Sequence, residues 1–270
     1  MNRFFVFIVF FNLVYVLNSQ SLEFLSTRQL SLGGASVSIV DEWSGFSNVG
    51  ASAFIEKSSI GLNYSNRYFL NELHQNDLVG SLKLSKGVLS TGFSYAGFSA
   101  FSSTRSCIGY ALKLKNNLGL GVQLTHNTSR FSQLALKTDH YFSANVGLYY
   151  KVQDNWAIGV SMVNLFGYIK RENDQLSIFK IGTHHILSEK VEAYLEVEKS
   201  SARPIQLKAG LEYQPLTNFF FRVGVNGEPL TVSGGFGYLF SKIRLDVAAS
   251  YHQILGWSPS FSFVYGFKKK

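Results

Sequence analysis

Between residues 191 and 267 hydrophobic and polar positions alternate with the two-residue period of a β-strand, and the pattern returns run after run. In 191–198 the odd positions are aliphatic, while Glu192, Glu196 and Glu198 stand on the even face with Tyr194 among them. The same division recurs at 205–213, where Lys208 and Glu212 are polar-face residues, and at 219–226, where Arg222 is. It recurs again at 230–240, at 243–252 with Arg244 and Asp246, and at 261–267. Neighbouring antiparallel strands joined by short turns are the expected result. Upstream, 60–70, 88–101, 118–126, 138–152 and 155–165 alternate in the same way, and 78–85 and 104–114 do so more weakly. Residues 176–184 are the least regular and read as bulged or partly outside a membrane. The total is about fourteen strands, an even number of the kind bacterial barrels use.

A soluble sandwich would alternate too, so the period alone leaves the class open. Two further features decide the expectation. Each run is about ten residues long, the length a tilted strand needs to cross a bilayer, and only a closed barrel satisfies all its backbone groups in lipid. The chain also opens with a basic head, Met1-Asn2-Arg3, followed by an apolar run at 4–17, the form of a secretory leader with cleavage near Ser19 or Gln20. The reading is therefore an all-β, transmembrane antiparallel β-barrel of about fourteen strands, apolar face outward. Its parts are a signal peptide at 1–19, a segment at 20–57 that falls outside the alternation, and the barrel at 58–270. Localisation follows as the cell outer membrane, reached through the periplasm after cleavage of the leader.

Composition agrees. Hydrophobic residues make up 46% of the chain but charged ones only 16%, which suits strands with lipid on one side and a polar bore on the other. Aromatics at 15% suit interfacial girdles. A single cysteine, Cys107, excludes an intramolecular disulfide and reads as an inert small residue. The net charge of +8 draws three units from Lys268-Lys269-Lys270, a tail placed at the membrane surface, and the other basic residues are spread along the strands. No nucleic-acid partner is expected from that distribution; outer-membrane lipid is.

Residues 27–54 break the alternation. They run from Arg28 through Gly33-Gly34 and a short β-branched stretch to Asp41-Glu42, then an aromatic stretch, Asn48 and small residues. Glycines there permit positive φ or close backbone approach, and Asp41 and Asn48 suit helix or turn caps. By the residues alone an ordinary strand, turn and short helix fits as well as any functional element. The order of residues, however, resembles the N-terminal signature of the PorV/PorQ family, a branch of the FadL-like outer-membrane barrels of Bacteroidetes, and 58–73 resembles that family's first long strand. Here Asn48 is followed by Val49-Gly50-Ala51, where the family usually has Pro-Ala-Gly. The resemblance implies a fourteen-stranded barrel with a small N-terminal hatch or plug, residues 20–57, folded into its mouth and built on Arg28, Gly33, Gly34, Asp41 and Asn48. It also implies service to type IX secretion, with other outer-membrane or secretion-system proteins as partners.

Chemistry would have to sit on the inward face. Glu192, Glu196, Glu198, Lys208, Glu212, Arg222, Arg244 and Asp246 lie on nearby strands and can pair across the ladder. They form either a structural charge network that keeps the lumen polar and filled or the lining of a charged solute passage. A fourteen-stranded barrel with a hatch is closer to plugged than to an open porin. His184-His185 are adjacent and point to opposite faces of a strand, so they cannot share a metal. His252 sits on the polar face near Arg244 and Asp246 without a serine at a fixed spacing. No phosphate loop, cysteine motif or metal pattern appears, so neither enzyme activity nor a cofactor or metal is expected. The expected function is a non-enzymatic scaffold in export or surface attachment; the alternative is a FadL-like transporter of hydrophobic molecules. Tight spacing keeps the loops short, and 127–137 and 167–175 are the best candidates for a functional loop, each of which also fits a solvated turn.

Overall fold

The computed structural model describes residues 24–132, 137–165, 176–227 and 229–267. The leader, the lysine tail and the 167–175 loop therefore lie outside the described residues. Among the described residues fourteen antiparallel strands form one closed barrel. The first half comprises β1 (Ser59–Asn66), β2 (His74–Lys83), β3 (Val88–Gly97), β4 (Phe101–Lys115), β5 (Leu118–Phe131), β6 (Lys137–Gln153) and β7 (Trp156–Val163). The second comprises β8 (Ile178–Ser188), β9 (Val191–Ser200), β10 (Gln206–Leu216), β11 (Phe219–Gly227), β12 (Leu230–Phe240), β13 (Ile243–His252) and β14 (Gly256–Gly266). Each strand pairs with the next, and β14 pairs with β1 from Ser59↔Gly266 to Ser65↔Ser260, so no edge is left open.

Period-2 alternation sorts the side chains. On β10, Leu207 and Leu211 are exposed while Gln206, Lys208 and Glu212 are buried; on β14, Trp257, Phe261 and Phe263 are exposed while Ser258, Ser260 and Ser262 are buried. An exterior of large apolar side chains around a polar interior inverts the soluble arrangement and places the wall in lipid. Turns at the end holding the chain termini are tight, at 84–87, 116–117, 154–155, 189–190, 217–218 and 241–242. Short turns mark the periplasmic end of such barrels, so the opposite rim faces outward.

Several expectations change in detail. The 176–184 segment is a regular part of the wall: β8 pairs with β7 without interruption and is irregular against β9 only between Ile186 and Ser188. The 127–137 loop shrinks, because β5 runs to Phe131 and β6 begins at Lys137, paired residue by residue. The first strand ends at Asn66 instead of continuing to 73, since Tyr68 and Phe69 take positive φ and turn the chain.

The hydrophobic core lies between the wall and residues 24–57. Three small clusters hold it: Phe24, Trp43, Val79 and Val264; Leu32, Ala35, Ile39 and Tyr194; and Val49, Ala51, Ala53 and Phe54 with Ala111, Tyr149 and Ala157. The segment carries a short helix α1 (Thr27–Ser31), a second, α2 (Ser44–Ser47), and a 3₁₀ turn at Ala51–Phe54. Helix α1 starts at Ser26, whose hydroxyl accepts from the Gln29 amide while the Gln29 side chain accepts from the Ser26 amide, a capping box.

Candidate functional site

Glycines on the inner wall let the N-terminal segment lie backbone against backbone. A Cβ on Gly159 would stand 2.1 Å from the Val37 carbonyl oxygen, one on Gly224 2.0 Å from the Gly33 amide nitrogen, and one on Gly121 2.5 Å from the Val49 oxygen. Any side chain there would displace the segment, since the obstructing atoms are main chain. Gly33 and Gly34 themselves take φ of +71° and +83°, ending α1 in the left-handed conformation, and a Cβ on Gly33 would meet Val225 at 2.5 Å.

Polar contacts then fix the segment laterally. Asn48 donates to the Val37 oxygen at 2.7 Å and to the Leu148 oxygen on β6 at 2.9 Å, and accepts from the Gly50 amide at 3.0 Å. Asp41 accepts from the Trp43 amide at 2.9 Å and caps the turn into α2. Thr27 is held by Asn63 of β1, its amide at 2.9 Å and its hydroxyl at 2.8 Å, and Asn63 in turn donates to Asp77 of β2 at 2.9 Å.

Around Arg28 the charges of the segment and the wall merge. Its guanidinium donates to Glu212 at 3.0 and 2.8 Å, to the Tyr194 hydroxyl at 3.2 Å and to Asp41 at 3.5 Å. Arg222 bridges Glu212 and Asp246, the latter at 2.7 Å; Arg244 donates to Asp246 at 3.0 Å and to Glu42. Burial alone would lower the Arg28 guanidinium, yet Glu212, Tyr194 and Asp41 hold it well above its usual value. For Glu42 burial prevails over the attraction of Arg244 and, with Asp41 beside it, pushes the carboxyl up to about 7.

A second cluster lies on β8, β9 and β10. Lys208 donates to Glu198 at 2.7 Å and to Glu196 at 3.3 Å, and Lys180 pairs with Glu198 at 3.2 Å. Glu196 also accepts from the Ser36 and Val37 amides, both at 2.7 Å, so a wall carboxylate caps the segment's backbone. Glu192 is tied to the Arg28 cluster through Tyr194, accepting from its hydroxyl at 2.5 Å, and lies 3.0 Å from His184.

All eight anticipated lumen charges thus face the bore. Seven join the two clusters directly, and Glu192, beside His184, reaches Arg28 through the Tyr194 hydroxyl. Three partners escaped the sequence reading. Glu42 lies in a stretch without strand period, Tyr194 interrupts a row of carboxylates, and Lys180 sits in the irregular run. The flanking pattern Phe179, Lys180, Ile181 was the available signal for the last. His252 is not near Arg244 in its contacts: its Nδ1 accepts from the Ile254 and Leu255 amides in the β13–β14 turn. Cys107 is buried and free on the inner side of β4.

The family described as type IX secretion system membrane protein PorP/SprF matches residues 50–270. The chain belongs to that family. The match covers the whole barrel and begins after most of the N-terminal signature. No curated protein matches by sequence. Solved structures share the fold. The Pseudomonas putida toluene transporter TodX aligns over 93% of this chain and 100% of its own at 12% identity, TM-score 0.68. The CymD monoaromatic hydrocarbon channel covers the same shares at 12% identity, TM-score 0.69. A Pseudomonas aeruginosa FadL homologue aligns over 90% of this chain and 98% of its own at 13% identity, TM-score 0.64. The fold is that of FadL-type outer-membrane barrels.

Proposed function

We propose that the protein is a plugged, non-enzymatic outer-membrane barrel that serves as a scaffold in type IX protein export or surface attachment. The observation that carries this reading is the seating of residues 24–57: main chain packs on inner-wall glycines, and two ion-pair clusters clamp it inside the bore. Family membership supplies the secretion context. In this reading residues 1–19 are a cleaved leader, 20–57 the hatch and 58–270 the barrel. Its partners are outer-membrane lipid and other secretion-system proteins. On the signature at 27–54 we extend the reading to a hatch of the PorV/PorQ kind, in a Bacteroidetes outer membrane. The hatch residues Arg28, Gly33, Gly34, Asp41 and Asn48 hold the plug, and the lumen charges are structural.

The fold shared with hydrocarbon channels favours one other reading, a transporter of hydrophobic molecules. An ionic, hydroxyl-rich interior gives such a molecule little to bind. Affinity isolation of the intact protein from outer membrane in mild detergent separates the two. Stoichiometric recovery of secretion subunits is expected; a clean monomer carrying a bound hydrophobic small molecule would overturn the scaffold.

A further inference from the structure

The outer wall of β2 to β6 differs from the uniformly apolar exterior of β10 and β14. The strand register lines up outward-facing residues in rows. One row reads Gly80, Thr91, Ile108 and Leu124 from β2 to β5. The next reads Leu78, Phe93, Ser106, His126 and Phe142 from β2 to β6. Small side chains at Gly80, Thr91 and Ser106 lie among large ones, so the wall is indented there by a groove of about 610 Å³. That volume falls in the range that takes a drug-sized ligand.

The rows above the groove, towards the outer rim, turn polar. Thr104, Thr128 and His140 share one row, and Ser102, Arg130 and Thr138 the next. His126 and His140 are linked ring nitrogen to ring nitrogen at 3.3 Å, the Thr128 hydroxyl lies 3.3 Å from His140, and Arg130 is exposed. Strands β4, β5 and β6 have 15, 14 and 17 residues, whereas a membrane span uses about ten. Counting about ten residues outward from Leu118 reaches Asn127, so His126 stands at the hydrocarbon boundary and the two polar rows at the level of the head groups.

We propose that this face is a binding site for an anionic, phosphate-bearing lipid of the outer leaflet. One acyl chain lies in the groove, over Gly80, Thr91 and Ser106 and beside Phe93 and Phe142. The phosphate meets the exposed guanidinium of Arg130, which offers paired N–H donors, with the remaining ring nitrogens of His140 and His126 in the adjoining rows. The occupant follows from position. A groove at this depth is bathed in acyl chains, and the exposed Arg130 guanidinium in the polar rows directly above it favours an anionic head group. The inference rests on the barrel crossing the membrane and is independent of the scaffold reading.

Native mass spectrometry of the full-length barrel in detergent tests it, with phosphatidylglycerol and phosphatidylcholine of identical acyl chains as probes. The wild type is expected to retain phosphatidylglycerol roughly tenfold better. Arg130→Ala with His140→Ala should abolish the preference while leaving weak retention of both lipids. Ser106→Trp should weaken both lipids alike by filling the groove. Circular dichroism and gel mobility before and after heating establish that each variant is a folded barrel. Equal retention of the two lipids by the wild type would overturn the proposal. So would an unchanged preference in the folded double variant, or capture at this face of a second membrane protein that Ser106→Trp releases.

Discussion

Where the N-terminal segment meets β10, β11 and β13, three guanidiniums, Arg28, Arg222 and Arg244, face four carboxylates, Asp41, Glu42, Glu212 and Asp246. One carboxylate is in excess, and a proton on Glu42 balances the set. Its folded-state value of about 7 lies above the ordinary 4.5, so the folded protein holds that proton more tightly than the unfolded chain. The stabilisation is therefore complete below pH 4.5 and is lost as the pH rises towards 7. Hydrogen exchange should show residues 24–57 less protected at pH 8 than at pH 5, and Glu42→Gln should flatten that slope. A slope that survives the substitution would exclude Glu42 as its source. None of this could be read from the string Asp41-Glu42, because the shift comes from burial among residues far off in the chain.

At the scale of the element, the hatch segment and the strands were legible to different degrees. Strands announce themselves through alternation, since one face meets lipid and the other does not. The segment has no such contrast, as both its sides touch the inner wall. Part of it was still open to reading: Ser26 and Gln29 have capping-box spacing, and Gly33-Gly34 is a helix stop. What holds it was not. Arg28 and Glu212 are 184 positions apart, and their pairing exists only once the barrel closes. Breaking one side of such a buried pair typically costs about 3–5 kcal/mol because the remaining charge stays buried. Arg28→Met should lower the urea midpoint of the detergent-folded barrel accordingly. Arg28→Met combined with Glu212→Gln should lose less than the two single losses added together, the sign of a direct interaction. Simple additivity would show that Arg28 does not hold the segment through Glu212.

For the whole molecule, the plug proposed above predicts a closed bore. Planar-bilayer recordings of the wild type should show no steady conductance. Gly159→Val puts a side chain where the Val37 carbonyl lies and should open a conducting path by displacing the segment, at a stability cost of about 1–3 kcal/mol. Gly234→Ala is the matched control, because its Cβ would find its nearest atom, the Arg222 oxygen, at an ordinary 3.6 Å. Steady conductance in the wild type, or silence in a folded Gly159→Val barrel, would contradict a plug seated on the glycines.

By itself the sequence determined the strand class, the approximate strand number and which face of the clearly alternating strands meets lipid. Those properties are local, set by the two-residue period and by run length against bilayer thickness. The tertiary structure decided register, closure of β14 on β1, the inner glycine seats and the pairing of charges. Those depend on which residues closure brings together across the bore, and distance along the chain carries no information about that.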